Sequence, residues 1–297
     1  MNEERFRLNY EKAIEVSRKA VAMLERKIPP FNQPNIFPDV VLPSGMEAGS
    51  LEHALFLFYA CSLDSMRQAK SVYEAMRGIA SETDLKELCR LGRKDLTRLV
   101  KKHLEEPGSV GEPIETLYWN ARKLEEEYKG DPRNIAEKSV EETIKRVQKG
   151  RPRSEGKFRQ FGPGKAALLM KNFVRFGIWH YDPCQIPIKI DRHVVRISIG
   201  TSVVETEGQE LKAQHLVKPL SGLYRKVTSQ ERISAVDLDD ALWGIGSQLC
   251  IRNQEYVCRM GCDLGCVIRP WADRHAYLVK PRQESRKAER NLLLFEF

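Results

Sequence analysis

The sequence predicts an all-α protein, and three observations support that fold class. Apolar residues recur at helical spacing through much of the 297-residue chain, for example over residues 3–27 and 113–128. The connectors between such segments are rich in proline, and residues 28–50 alone contain five. Strand signals are sparse, and only the apolar stretch 186–190 favours a strand. The chain is therefore expected to fold as packed helices joined by long loops.

Further helices are expected in order along the chain. A helix that begins near Leu51 is apolar on nearly all sides, which is typical of a helix buried in a core. Ser81 and Asp84 favour a helix start, and that helix is expected to extend to about His103. The other expected helices cover residues 65–78, 135–148, 165–176, 191–200 and 235–250.

Composition divides the chain into three consecutive segments. Residues 1–50 hold an N-terminal helix and a proline-rich connector, and residues 51–200 form a helical core. Residues 201–297 form a C-terminal helical part with four clustered cysteines, at 250–266, and a basic tail. A chain of this length suits one large domain or two ordinary ones.

The charge balance favours a polyanionic partner. The net charge is +8 and the isoelectric point is about 9.1, while 41% of the residues are hydrophobic and supply a core. The N-terminal residues are charged and lack the apolar segment of a secretion signal. The sequence also lacks an apolar run long enough for a membrane span, so we expect no membrane contact and a cytoplasmic location.

The stretch "QFGPGKAA" at 160–167 is the first candidate for a functional site. Gly162 and Gly164 permit backbone angles that other residues avoid and allow close approach of a ligand. A helix that opens at Lys165 would direct its free N–H groups at an anion such as phosphate. An ordinary corner between two helices is the alternative. The five nearby basic residues suit a DNA backbone or a solvated loop, and they are Lys149, Arg151, Arg153, Lys157 and Arg159.

Two further features carry chemistry. Asp191 follows the apolar stretch 186–190, where it can cap a helix, stabilise a developing positive charge, or do both. The cysteine spacing in the C-terminal segment is C-x7-C-x3-C-x3-C, which is more compact than the paired knuckles of zinc sites. This spacing favours an iron–sulfur cluster, with tetrahedral zinc as the alternative. The candidate ligands are Cys250, Cys258, Cys262 and Cys266.

The order of these pieces resembles the helix–hairpin–helix DNA glycosylase superfamily, in its endonuclease III-like branch with an iron–sulfur loop. The resemblance covers roughly residues 50–268. It rests on the glycine hairpin with Lys165, on Asp191 within "IDRHVVRI", on "LWGIGSQLC" and on the four cysteines. The branch has C-x6-C-x2-C-x5-C, so the gaps differ here while the first-to-last distance is the same. The hairpin also departs from the family pattern: without a gap, Ala166 takes the place of the catalytic lysine.

The resemblance implies a two-lobed helical fold, a helix–hairpin–helix at about 135–176, a [4Fe–4S] cluster and a monomer bound to double-stranded DNA. It implies that a damaged or mismatched base is flipped out and its N-glycosidic bond cleaved, with Asp191 beneath the sugar. Lys165 is either a Schiff-base nucleophile for strand cleavage or a phosphate contact. The implied DNA contacts are Gly162, Gly164, Lys157, Arg159 and Arg192. In a prokaryote the protein would associate with the nucleoid.

Two other functions stay open at this point. One is a monofunctional glycosylase in which Asp191 activates water, and the other is a non-catalytic DNA-binding protein. Aromatic residues near the hairpin are also of interest. We expect Trp119, Trp179 and Trp243 to lie in the core, and Tyr181 to be the better candidate for stacking on a base. His193 is expected to be a structural hydrogen-bonding residue.

The cysteine spacing leads to a prediction about metal content. The purified protein should be brown, absorb near 400 nm and contain about four irons per chain, since four thiolates hold one [4Fe–4S] cluster. Elemental analysis with visible absorption checks this. One zinc per chain without iron would show that the thiolates bind zinc instead. Cys258→Ser should destabilise the C-terminal part, because metal binding and folding are coupled.

Overall fold

A computed structural model describes residues 6–64, 68–104, 111–148, 158–205 and 213–249, and these residues form an almost entirely helical fold. Within these ranges the two strands are short, β1 at Arg7–Leu8 and β2 at Val204–Glu205, and they pair antiparallel. The ten α-helices are α1 Tyr10–Glu25, α2 Leu51–Leu63, α3 Ala69–Glu82, α4 Arg93–His103, α5 Gly111–Tyr128, α6 Val140–Gln148, α7 Pro163–Arg175, α8 Arg192–Gly200, α9 Ala213–Gln230 and α10 Ala235–Gly244. The all-α prediction is confirmed.

The chain divides into two compact units that are not continuous in sequence. One unit consists of residues 1–33, 190–233 and 237–297, and the other consists of residues 34–189 and 234–236. We refer to them as the terminal unit and the hairpin unit. The segments 1–50, 51–200 and 201–297 follow the order of the chain and stay a prediction.

Helix α2 is the centre of the hairpin unit. Ser50 caps it by accepting a hydrogen bond from the backbone N–H of His53 (3.1 Å). From His53 to Leu63 each residue is buried, as the apolar character of all sides of the helix predicts. Helices α3, α5 and α7 pack against α2, so its side chains form the interior on which this unit is built.

The terminal unit is built around α8 and α9. Helix α1 packs on α9, and α8 packs on both α9 and the single π-helical turn Ile245–Leu249 that follows α10. Gly246 lies in that turn, and a Cβ atom there would come within 2.6 Å of Cβ of His193. Glycine is therefore required for the close approach of this turn to α8.

Several local expectations are wrong. The segment 186–190 is not a strand, and the strands that do occur contain only two residues each. The expected helix from Ser81 to His103 is instead a short 3-10 turn, Leu85–Cys89, followed by α4. Asp84 does begin an element, because its carboxylate accepts a hydrogen bond from the N–H of Lys86, but the glycine at 92 separates that turn from α4. Among the described residues, no helix is both long and apolar enough to cross a membrane.

A buried ion cluster stabilises the hairpin unit. Asp39 is 6% exposed, and its Oδ2 lies 3.2 Å from Nζ of Lys171 and 3.4 Å from a guanidinium nitrogen of Arg175. Burial alone would raise the pKa of Asp39, but the charges of Lys171 and Arg175 bring it below its ordinary value. The cluster thus fixes the proline-rich connector to α7.

We predict that Asp39→Ala lowers the free energy of unfolding by about 3–5 kcal/mol, because it removes the carboxylate that two buried cations face. Urea denaturation measures this change. The matched control is Glu87→Ala, which removes a carboxylate from an exposed pair with Arg90 and should cost less than about 1 kcal/mol. Equal costs for the two variants would mean that the buried cluster adds nothing to stability.

Candidate active site

The turn that leads into α7 is held rigidly in place by two buried phenylalanines. The rings of Phe158 and Phe161 lie 5.0 and 5.2 Å from the ring of Phe58 on α2, measured between centroids. Between them, Arg159 is bound to α5: its N–H donates to Oδ1 of Asn120 (2.6 Å), and its carbonyl accepts from Nδ2 of Asn120 (3.1 Å). The turn therefore cannot shift along the core, and the start of α7 has a fixed position.

The two glycines of this turn do not adopt the unusual backbone angles that we expected. Gly162 is the N-cap of α7 with φ −77°, and the residue with positive φ is Gln160 at 67°. A Cβ atom at Gly162 would meet nothing within 4 Å, and one at Gly164 would meet only Cγ of Lys189 at 3.8 Å. Neither backbone strain nor the described packing therefore explains the glycines. Their shared property is an unobstructed backbone surface at the helix start.

The start of α7 presents backbone donors. Pro163 is the first helical residue, so its lack of an N–H leaves no donor unsatisfied there. Gly162 has no side chain that could cap the helix, and the first N–H groups of a helix have no acceptor within it. The N–H groups of Gly164 and Lys165 thus lie where an anion can bind.

Lys165 is the third residue of α7, not the first, and its side chain extends to the end of α2. Its Nζ donates a hydrogen bond to the carbonyl oxygen of Ser62 (2.9 Å). Nearby, Nζ of Lys189 forms an ion pair with Oδ2 of Asp64 (2.9 Å). The sequence did not indicate these neighbours as site residues, although a lysine between two buried isoleucines, Ile188 and Ile190, was a signal that it had a polar partner.

The environment of Lys165 lowers its basicity. Burial lowers the pKa of its ammonium to about 8. The charges of Asp64 and Glu112 act in the opposite direction, and the charge of Lys189 acts in the same direction as burial. At pH 7 about a tenth of such amines are neutral, which is roughly three-hundredfold more than for an unperturbed lysine. Lys165 thus has the property that a lysine nucleophile needs.

Asp191 is the N-cap of α8, in the terminal unit. Its Oδ1 accepts hydrogen bonds from the N–H groups of His193 (2.8 Å) and Val194 (3.2 Å). The other carboxylate oxygen, Oδ2, takes no part in the cap. The cap function is confirmed, and the cap leaves Oδ2 available for a second role. Arg192, the first helical residue, is exposed.

The side chain of His193 connects the start of α8 to the π-helical turn after α10. Its Nδ1 lies 2.9 Å from the carbonyl oxygen of Gly246 and 3.1 Å from a guanidinium nitrogen of Arg196. Arg196 donates to the same carbonyl. Burial lowers the pKa of His193, which favours the neutral ring. The expectation of a structural histidine is confirmed.

Other expected site residues lie elsewhere. Tyr181 is partly exposed, and its hydroxyl hydrogen-bonds to Thr143 (2.6 Å) and to the backbone of Glu137, so the stacking role of its ring stays a prediction. Trp179 is buried as expected, whereas Trp119 is 40% exposed and the expectation of a core residue is wrong there. Lys157 lies outside the described residues, as do the four clustered cysteines and the basic residues at 149–153.

No metal site is formed by the described part of the chain. In that part, no group of three or more His, Cys, Asp and Glu side chains has metal-binding geometry. The cysteines there are Cys61 and Cys184, both buried, and Cys89, which is partly exposed, and none of the three forms a disulfide within that part. The cluster stays a prediction from the spacing of the other four.

We predict that the pKa of Lys165 can be moved in both directions through its ion-paired neighbours. Lys189→Gln removes a nearby positive charge and should raise the pKa of Lys165 above about 8. Asp64→Asn removes a nearby negative charge and should lower it. NMR titration of reductively methylated lysines, with the Lys165 signal assigned by its loss in Lys165→Arg, measures both shifts.

The control is Lys70→Gln, on the exposed outer side of α3, which should leave the Lys165 titration unchanged. If Lys165 titrates near 10.4 in the unmodified protein, the side chain is solvated and the argument from burial is wrong.

The comparisons with known proteins identify the fold. Neither a protein-family profile nor a curated protein sequence matches the chain. A solved structure of endonuclease III in a trapped covalent intermediate with DNA, an estranged-adenine complex, is similar with a TM-score of 0.52. The alignment covers 86% of this chain and 99% of that one, at 13% sequence identity. The chain therefore has an all-α fold like that of endonuclease III.

Proposed function

We propose that the protein is a DNA glycosylase with associated lyase activity, in which Lys165 is the nucleophile. The observation that carries the proposal is the amine of Lys165, whose pKa is lowered to about 8 in the first turn of the helix after the hairpin. The fold supports it, because endonuclease III with the same fold has been trapped as a covalent intermediate with DNA.

The reaction follows from the chemistry of a neutral amine. Lys165 attacks C1′ of the damaged nucleotide, the bond between C1′ and the base breaks, and the base leaves with the electron pair. Loss of the amine proton and opening of the sugar ring give an imine between Nζ and C1′. Removal of a proton from C2′ then expels the 3′ phosphate, and water releases the lysine.

In this proposal Asp191 stabilises the positive charge that develops on the sugar as the base departs. A carboxylate can do this by electrostatics, and Oδ2 is the oxygen that the helix cap does not use. The substrate is a damaged or mismatched base in double-stranded DNA, bound by the protein as a monomer. A panel of duplexes that each carry one lesion, with analysis of released bases, would identify that base.

The DNA contacts are proposed at the start of α7. The exposed backbone at Gly162 and Gly164 allows a phosphate to approach the N–H groups there, and Arg159 and Lys157 add positive charge. Arg192 is exposed and can reach a phosphate or sugar. The cluster held by the four C-terminal cysteines is proposed as a structural element, on the evidence of their spacing alone.

One observation favours a second candidate, a monofunctional glycosylase. Nζ of Lys165 donates to Ser62, so the amine has a structural partner and must release it before it can attack. In that case Asp191 would activate water, and Lys165 would only position the end of α2. A protein that binds DNA without catalysis is the remaining alternative, and release of a base excludes it.

We predict that Lys165→Ala abolishes the covalent adduct that borohydride traps on DNA with an abasic site, since reduction requires an imine. Duplex binding should weaken only slightly, because one charge among several is lost. Lys171→Ala is an unsuitable control because Lys171 belongs to the buried cluster, so Lys145→Ala on α6 is used instead. Adducts of Lys165→Ala at the wild-type rate would identify another amine as the nucleophile.

The trapping rate of the unmodified protein should rise with pH and level off above about pH 9. The sign follows from the lowered pKa, because the fraction of neutral amine increases until the pH passes about 8. Initial rates of borohydride trapping between pH 6 and 10 measure this profile. A rate that continues to rise to pH 10 would contradict a nucleophile with this pKa.

We predict that Asp191→Asn slows base release by about a hundredfold or more while binding and folding are retained. Asparagine keeps the oxygen that caps α8, so only the negative charge is removed. Single-turnover base release measures the rate, and thermal denaturation checks the cap. Unchanged base release would show that Asp191 serves only as a helix cap.

A further inference from the structure

One surface of the hairpin unit enters the mechanism above only through Arg159, the DNA contact proposed beside the hairpin. It lies where α4 and α5 meet and consists of Arg93, Tyr118, Trp119, Arg122 and Arg159, with Glu115 among them. We call it the arginine–aromatic surface. Trp119 and Val40 are the two large hydrophobic side chains exposed in the described residues, so an exposed tryptophan among arginines is unusual for this chain.

Two arginines stack on one aromatic ring. The guanidinium carbons of Arg93 and Arg122 lie 3.9 and 3.8 Å from the ring centroid of Tyr118. At these distances two cations fit only on opposite faces of the ring. Stacking restrains both guanidinium groups through their planar faces. Arg93 donates two hydrogen bonds to Glu115 (2.6 and 3.4 Å), and Arg122 donates one to the carbonyl oxygen of Leu91 (3.5 Å), so their remaining N–H groups are the ones that can reach a phosphate.

Trp119 connects this pair to a third arginine. The guanidinium carbons of Arg93 and Arg159 lie 5.7 and 5.4 Å from the Trp119 ring. Glu115 binds Nε of Arg93 (2.6 Å) and accepts from the indole N–H (2.9 Å), and it lies 3.9 Å from Arg159. The surface thus holds three arginines and one carboxylate, and it has an excess of positive charge.

Two observations indicate the partner. The surface is continuous with the hairpin, since Arg159 precedes the N-cap of α7 by three residues and is bound to α5 through Asn120. Helix α4, which begins at Arg93, also carries the exposed cations Lys94, Arg98 and Lys101, of which Arg98 is paired with Asp95 (3.2 Å). An excess of positive charge beside a proposed phosphate site suits a second stretch of the same polyanion.

We propose that the arginine–aromatic surface binds the sugar–phosphate backbone of duplex DNA beyond the phosphates that the hairpin holds. This inference rests on the proposed function only for the identity of the partner. The surface extends the footprint on DNA and is not part of the chemistry. Glu115 holds Arg93 in position and also reduces the attraction for phosphate.

The test measures binding to a lesion-free duplex by fluorescence anisotropy over a range of salt concentrations. The slope of log affinity against log salt is negative, and Arg93→Gln and Arg122→Gln should each make it less steep by about 0.9, as expected for the loss of one phosphate contact. Glu115→Gln should act in the opposite direction and tighten binding, because it removes a negative charge from the surface. Thermal denaturation confirms that each variant is folded.

The matched control is Arg18→Gln, since Arg18 is also exposed and paired with a glutamate but belongs to α1. It should leave the slope unchanged. Arginine variants with the wild-type slope would overturn the proposal. With that result, a protein or a second copy of the chain would be the candidate partner of this surface.

Borohydride trapping separates this inference from the proposed function. A wild-type protein that forms no adduct, together with a reduced salt slope for Arg93→Gln, would refute the lyase and support the surface. Normal trapping by the wild-type protein with an unchanged salt slope for Arg93→Gln would support the lyase and refute the proposed DNA-binding surface.

Discussion

The packing of Phe158 and Phe161 on Phe58 is the contact on which the candidate site depends. It joins the turn before α7 to the helix that forms the interior of the hairpin unit. The same helix ends at Leu63, where the carbonyl of Ser62 accepts a hydrogen bond from Lys165 and Asp64 pairs with Lys189. The middle of this buried helix therefore positions the backbone of the turn, and its end positions the side chain of Lys165. The turn and the lysine cannot move independently of each other.

The sequence predicted elements well wherever one face or all faces of a segment are apolar. Helix α2 is an example, since an apolar run with a serine before it leaves few alternatives to a capped, buried helix. The stretch 186–190 shows the opposite case. Its alternation of isoleucine with proline and lysine resembles a strand, but no strand in the described residues pairs with it, and it has no regular secondary structure.

Side-chain surroundings were harder to predict than elements. Lys165 and Asp191 were selected by their local patterns, and the cap of α8 follows directly from that pattern. The partners of Lys165 come from positions about a hundred residues earlier and twenty-four residues later, which no local pattern connects. Trp119 was assigned to the core on its residue type. Cation–π contacts with Arg93 and Arg159 stabilise its ring at the surface instead.

The buried amine of Lys165 also has a consequence for the stability of the protein. Its pKa in the folded chain, about 8, is below the value of about 10.4 that a lysine has in an unfolded chain. The unfolded state therefore binds this proton more tightly, and the native state is penalised below pH 8 and relieved as the pH rises towards 10. The buried amine of the site thus lowers the free energy of unfolding most at neutral and acidic pH, where the group is most often charged.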